Sequence, residues 1–339
     1  MSGGEAAEGR IPVTVLAGFL GAGKTTLLKR ILEDPRGVRY GVLVNDFGAI
    51  NIDADLVVET GADQVSLANG CICCTIRDDL VEAIGRLLDQ DPVPEHLLIE
   101  TSGVSRPHAV VDAVLDPALG GRAAVDGVFC LVDAAGFRDL DFASTELAID
   151  QAGSADMIVL NKVDIATPDD LAAVETALRG PLPNARFLQA RFAEVPRAVL
   201  FGGERAERQR HGHGHAHDHD GHDHDHAPGH DHGHGHDHGH DHGEEFQSWS
   251  WTSAAPLDRA AFRNAVRRLP PALLRMKGVL AFADRPEERA VFQMVGKRHG
   301  LEVVPGPAPA ESRLVAIARS GALDAAELDA LLVGCVARG

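Results

Sequence analysis

The sequence is short of positive charge, of cysteine and of long apolar runs. Its 32 Lys and Arg stand against 50 Asp and Glu, a net charge of −18. That excludes nucleic acid and an anionic membrane surface as partners, because both require basic patches. Seven of the acids belong to one histidine-rich tract, so the remainder carries −18 + 7 = −11, a balance that serves solubility. No uninterrupted apolar run approaches the ~20 residues of a membrane-spanning helix. Met1 to Arg10 lacks the apolar centre of a secretory signal, so a cytoplasmic address with reduced thiols is expected. Of only five cysteines, three fall within four residues: Cys71, Cys73 and Cys74. In a reducing compartment these are metal ligands or redox groups rather than a structural disulfide. Cys130, inside the apolar run Val128 to Val132, and Cys335 read as small buried hydrophobes.

What is present points to a nucleotide site. Ile11 to Ala17 is a β-branched apolar run that reads as a buried strand. It leads into Gly18-Phe19-Leu20-Gly21-Ala22-Gly23-Lys24-Thr25, a full match to G-x-x-x-x-G-K-[ST], followed by Thr26 and by apolar residues at helical spacing. Backbone N–H groups of such a loop close around phosphate oxygens, and the helix N-terminus adds partial positive charge. Lys24 is expected on the β- and γ-phosphates and the Thr25 hydroxyl on Mg²⁺. His96 to Ile99 ends in Glu100-Thr101-Ser102-Gly103, the order of a Walker B acid and a γ-phosphate-sensing segment. Met157 to Leu160 ends in Asn161-Lys162-Val163-Asp164; the Asp164 carboxylate can accept from both N1–H and N2–H of guanine, so GTP is expected rather than ATP. Strands are also expected at Gly41 to Asn45, Leu56 to Glu59, Gln64 to Leu67 and Val125 to Asp133. Intervening helices then complete a βαβ alternation. The expected fold class is α/β, a P-loop NTPase with a mainly parallel sheet flanked by helices, plus a smaller C-terminal α+β domain.

The composition divides the chain into a nucleotide domain over residues 1–205, a linker over 206–245 and a C-terminal domain over 246–339. The linker holds fifteen of the 18 histidines: His211, His213, His215, His217, His219, His222, His224, His226, His230, His232, His234, His236, His238, His240 and His242. Interleaved with Gly and Asp, it has no apolar repeat to build a core, and neutral imidazoles make it an auxiliary metal-binding segment. In the last domain strands are expected at Phe246 to Trp251, Leu273 to Ala283, Gly300 to Val304 and Arg313 to Ala318. A helix is expected from Asp324. His299 is isolated and reads as a surface or packing residue.

The cluster Gly70-Cys71-Ile72-Cys73-Cys74 offers three soft donors, one short of a closed tetrahedral site. A redox pair, a structural zinc knuckle and a transfer site are its three readings. No second cysteine pair closes a knuckle, and the spacing is not C-x-x-C.

Taken together, GFLGAGKTTLL, Asn45-Asp46-Phe47-Gly48, the cysteine cluster, Glu100 to Gly103, Asn161 to Asp164, the histidine tract and Leu274 to Leu280 resemble the CobW-type GTPases. That group includes cobalamin-pathway proteins, nitrile hydratase activators and zinc-regulated GTP metalloprotein activators. The resemblance implies a GTP-hydrolysing metallochaperone that holds zinc at Cys71, Cys73 and Cys74 and hands it to a client metalloprotein, with slow intrinsic turnover. Thr25, Glu100 and Asp46 would serve Mg²⁺; the family usually has Glu at the Asp46 position. Co²⁺ suits the same donors, so a cobalt chaperone is the alternative, as is a zinc buffer or sensor in which GTP sets conformation only. A homodimer is compatible with the sequence.

Overall fold

The computed structural model describes residues 10–44, 63–66, 75–202, 246–304 and 306–337. Seven strands build one parallel sheet: β1 Ile11–Gly18, β2 Tyr40–Val44, β3 Asp63–Ser66, β4 His96–Glu100, β5 Ala123–Asp133, β6 Met157–Asn161 and β7 Phe187–Gln189. Their order is β3-β2-β4-β1-β5-β6-β7. Burial on both faces explains why the strands are nearly continuous apolar runs. Along β5, Val128, Cys130 and Val132 join the core on one face while Phe129 and Leu131 join the core on the other. The first face is covered by α2 (Thr75–Leu88), α3 (Pro107–Val114), α4 (Phe142–Gly153) and α5 (Pro168–Arg179). The second is covered by α1 (Lys24–Glu33) and α6 (Arg197–Phe201). Cys130 is a core residue as its apolar surroundings suggest, and burial pushes its thiol up to about 12. Cys335 is likewise buried. The strand expected over residues 56–59 lies outside the described residues.

The C-terminal domain is an antiparallel sheet ordered β11-β10-β9-β12-β8. Its strands are β8 Phe246–Ser253, β9 Leu273–Phe282, β10 Arg285–Val295, β11 Arg298–Val304 and β12 Ser312–Arg319. Helices α7 (Arg259–Val266) and α8 (Ala325–Val333) pack on one face over Trp249, Trp251, Met276 and Phe292. Strand β10 is absent from the sequence reading, although at 11 residues it equals β5 in length. Its first half, Arg285-Pro286-Glu287-Glu288-Arg289, is charged, and only Ala290, Phe292 and Met294 alternate inward. No helix among the described residues is long and apolar enough to cross a membrane.

The other face of this second sheet sits on the first domain, at the end where the parallel strands begin. Strands β1 and β5 fall out of step there, Val13 pairing Val125 and Thr14 pairing Gly127, so Asp126 is an extra, bulged residue. The bulge aims its carboxylate at the C-terminal domain, where Arg275 Nη2 lies 2.5 Å and Lys277 Nζ 3.3 Å away. Burial alone pushes the Asp126 carboxyl up, but the Arg275 guanidinium and the Lys277 ammonium together hold it below the usual carboxylate range. Arg275 Nη1 also donates to the carbonyls of Val199 and Leu200 on α6. A second tie is Arg298 Nε to Asp156 Oδ2 at 2.7 Å, just before β6. The C-terminal domain therefore covers the N-terminal ends of the strands and leaves their carboxyl ends open.

His96, at the start of β4, is buried beside this junction with Nε2 2.8 Å from Thr14 Oγ1, and its ring meets Tyr40 and Phe201 edge-on. Burial lowers its pKa to about 3. An unfolded chain binds this proton near the ordinary 6.5 whereas the folded chain does not. Stability is therefore present above 6.5 and is lost as pH falls from there toward 3. At pH 5 the loss from this group is about 2 kcal/mol relative to pH 7.5. Urea unfolding at the two pH values checks this, and His96→Gln is expected to flatten the dependence. Arg275→Met, which leaves the buried Asp126 with Lys277 alone, is expected to cost about 3 kcal/mol. A loss below about 1 kcal/mol in the same assay would show that the pair does not hold the junction.

Candidate functional site

The carboxyl ends of β1, β4, β5 and β6 assemble the motif residues. Gly18 ends β1, and the loop Phe19 to Gly23 turns directly into α1. Gly23 adopts φ +104°, and a Cβ there would come within 2.4 Å of Asn161 Nδ2, so the loop closes only with glycine. Ala22 is buried, while Gly21 and Thr26 face outward. Lys24 is buried along its stem and its Nζ donates to Phe19 O at 3.2 Å, spanning the loop it opens. Thr25 Oγ1 donates to Glu100 Oε1 at 2.8 Å, bringing together two oxygen ligands from α1 and the end of β4. Hard oxygen donors at this spacing fit Mg²⁺, and backbone N–H groups at the N-terminus of α1 fit a nucleotide phosphate. A group bound there would be held by Thr25, Glu100 and Lys24, the cation neutralising charge that develops on the phosphoryl oxygens.

Asn161 is the joint of the site. Buried to 2% exposure, it donates from Nδ2 to Ala22 O at 2.9 Å and accepts at Oδ1 from Ala193 N at 2.8 Å. One side chain thereby ties the phosphate loop to the segment after β7. That segment turns through left-handed Phe192 and Ala193 and is pinned by Arg30, whose Nε donates to Phe192 O at 2.8 Å and whose guanidinium pairs with Glu194. Lys162 is also left-handed, at φ +62°, and its Nζ lies 2.6 Å from Asp133 Oδ2. Asp133 Oδ1 in turn accepts from the N–H groups of Ala135 and Gly136. Asp164 is exposed and makes no hydrogen bond among the described residues, so its carboxylate is available to accept from a ligand.

Gly103, which the Glu100-to-Gly103 motif contains, and Gln151, which no motif flags, shape the segment after β4. Gly103 lies against the phosphate loop, where a Cβ would meet Leu20 Cα at 2.9 Å. Gln151, fully buried on α4, donates from Nε2 to Gly103 O at 3.0 Å and to Ser105 O at 2.9 Å. The signal for Gln151 is in the sequence: Ala148, Gln151 and Ala152 share one helical face, and a glutamine on an apolar face requires a partner. Asp133 carries no comparable signal, because strands commonly end in an acid.

Asp46, Cys71, Cys73, Cys74 and the fifteen histidines of 211–242 lie outside the described residues. The chain on either side of the cysteines is described. Ser66, the last residue of β3, stands in register with Val44, and Val44 with Glu100. Three neighbouring strands put Ser66 about 10 Å from Glu100 across the sheet. On the far side of the cluster, α2 begins at Thr75, the residue after Cys74. Among the described residues no group of three or more His, Cys, Asp or Glu is arranged to hold a metal ion.

A parallel sheet with a phosphate loop after its first strand defines a P-loop NTPase. The family described as CobW/HypB/UreG, nucleotide-binding domain, matches residues 12–189, and the cobalamin synthesis protein cobW C-terminal domain matches residues 246–336. The chain belongs to the CobW/HypB/UreG family. It is 36% identical over 230 residues to the zinc chaperone CobW of Sinorhizobium sp, covering 60% of this chain and 65% of that protein. It is 33% identical over 175 residues to the zinc-regulated GTPase metalloprotein activator 1 of Schizosaccharomyces pombe, covering 50% and 43%. With the zinc chaperone YjiA of Escherichia coli it shares 38% identity over 161 residues, covering 46% and 50%. The chain thus spans between 43% and 65% of the length of these relatives.

Gln151→Leu removes both hydrogen bonds to the 103–105 segment and leaves two buried carbonyls unmatched, a local cost of about 1–3 kcal/mol. If the segment senses the γ-phosphate as its motif order suggests, GTP affinity is expected to fall about tenfold with GDP affinity little changed. Equilibrium titration with both nucleotides reads the difference. An equal fall for both would mean that Gln151 supports the fold only.

Proposed function

We propose that this protein is a GTP-hydrolysing metallochaperone that takes up zinc on Cys71, Cys73 and Cys74 and passes it to a client metalloprotein, with nucleotide state setting hold and release. The observation that carries this reading is the register Ser66–Val44–Glu100. The chain enters the cysteine segment from the same sheet edge that carries Thr25 and Glu100. In the sequence Asn45 and Asp46 are the next two residues after Val44, where β2 ends, and a role for Asp46 beside Mg²⁺ is part of this reading. Relatives that are themselves named zinc chaperones and a zinc-regulated GTPase favour zinc over cobalt as the cargo.

Each residue has a physical task in this reading. Lys24 exchanges its contact with Phe19 O for phosphate oxygens. Thr25 and Glu100 would hold Mg²⁺, which would supply charge to offset that of the β- and γ-phosphates. Asp164 accepts from the guanine edge, while Asn161 keeps the base segment and the phosphate loop in one rigid unit. The cysteines precede the N-terminus of α2, whose partial positive charge favours thiolate, the form that binds zinc. Three thiolates leave a coordination position open, which suits transfer better than storage. In this reading loss of the γ-phosphate would relax the segment that follows β4, a strand two places from β3, after which the cysteines come in the sequence. Turnover without a client is expected to be slow, on the order of 10⁻⁴ to 10⁻² s⁻¹.

The test is zinc transfer from the loaded full-length chain to a chromogenic chelator and to a candidate apo-client, with GTP-Mg²⁺ and with GDP compared. Transfer rates are expected to differ at least tenfold between the two states. Cys71→Ser, Cys73→Ser and Cys74→Ser should each weaken zinc binding with GTP-Mg²⁺ bound. Equal transfer in both nucleotide states removes the gating mechanism, and unchanged affinity in all three variants removes the site.

A further inference from the structure

Between the two domains, at the end of the sheet away from the nucleotide edge, lies a cleft of about 580 Å³. Its charge is out of keeping with the chain. Where the whole sequence has 50 acids against 32 Lys and Arg, this lining has Arg179, Arg186, Arg267, Lys297 and Arg319 against the single carboxylate of Glu175. His299 lies at the same cleft. Such a concentration of like charge in one cleft focuses a positive potential.

How the cations are held matters more than their number. Arg186, at the entry to β7, is half-buried, and its Nη1 donates to the carbonyls of Pro270, Pro271 and Leu273 across the domain junction. From the other side, Arg319 at the end of β12 donates from Nη2 to Phe187 O at 3.0 Å. Lys297, in the turn after β10, donates to Gly153 O at 2.8 Å. Carbonyls orient these groups but do not neutralise them. Among the described residues neither Arg186, Arg267, Lys297 nor Arg319 has a carboxylate within ion-pair distance; only Arg179 does, pairing with Glu175 while it stacks 4.4 Å over the Phe187 ring. Arg186 and Arg319 each spend one nitrogen on backbone and keep further N–H donors, so two planar forks from different domains share one cavity.

We propose that this interdomain cleft is a binding site for a small, multiply charged anion bearing phosphate or carboxylate groups, which bridges the two domains. The volume is that of a small-molecule pocket, in the range of roughly 300–1,000 Å³. Guanidinium forks match both phosphate and carboxylate oxygens in pairs. The walls supply apolar contact as well, from Phe187, Leu269, Leu274 and Met294. Since Arg186 belongs to the first domain and Arg267, Lys297 and Arg319 to the second, an anion held by both stabilises the docked arrangement. The site is separate from the phosphate loop, which opens at the opposite ends of the strands.

The experiment is calorimetric titration of the full chain with its nucleotide site saturated by GDP, in metal-free buffer of low ionic strength. Tripolyphosphate and propane-1,2,3-tricarboxylate serve as probes in separate arms. Saturable one-site binding at submillimolar concentration is expected for at least one probe, and the arm that binds names the chemistry. Arg319→Gln should weaken it at least tenfold. Arg267→Gln, whose side chain makes no hydrogen bond among the described residues, should weaken it severalfold and keeps the test valid if the first variant does not fold. The proposal is overturned if neither probe saturates or if both variants bind as the parent does.

Discussion

The carboxylate of Asp126 decides how this molecule is put together. A single extra residue in β5 turns it out of the parallel sheet and toward two cations of the second domain, in a place from which water is excluded. A buried pair of this kind contributes little net stability compared with an apolar contact, but its disruption is costly and so it selects one docking geometry. With Arg275 also bound to the carbonyls that end α6, the pair fixes the second domain and the outgoing chain at once. Among the described residues the second domain therefore leaves the carboxyl edge of the first sheet to the motif loops.

On that edge the site is built from joints rather than from a single rigid wall. Asn161 links the phosphate loop to the segment after β7, Arg30 pins that segment to α1, and Asp133 holds Lys162 in a left-handed turn. Each of these closes backbone groups that would otherwise face a half-formed loop. Gln151 does the same from behind for the segment that follows Glu100. The geometry of the edge thus depends on a layer of side chains that brace its loops through backbone groups, the arrangement by which a site keeps its geometry.

Much of this was legible before any coordinates. The apolar runs ending in Gly18, Glu100 and Asn161 are strands because both faces of a parallel sheet are buried, and a ligand site at their carboxyl ends follows from the topology. Strand β10 was hidden for the opposite reason: half of it faces solvent, and its charges mask a short alternation. Asp126 and Gln151 were hidden because their roles depend on a bulge and on the backbone of a distant segment, neither of which leaves a local pattern. The cationic cleft could not be read at all, since its five basic residues come from separate stretches, joined only by the docking of two domains. Asp46, the three cysteines and the histidine tract are legible in sequence alone and stay so, outside the described residues.

Strand β5 has one more implication. It carries Asp126 near one end and Asp133 at the other, seven residues and about 23 Å apart along a single extended backbone. The acid at one end answers to domain assembly and the acid at the other to the base segment. Being joined by a stiff central strand, neither needs to move for the other to change partners. Loops at the open edge can therefore be exchanged, lengthened or recut without disturbing how the halves are assembled. A scaffold wired in this way can acquire a new binding partner by surface change alone.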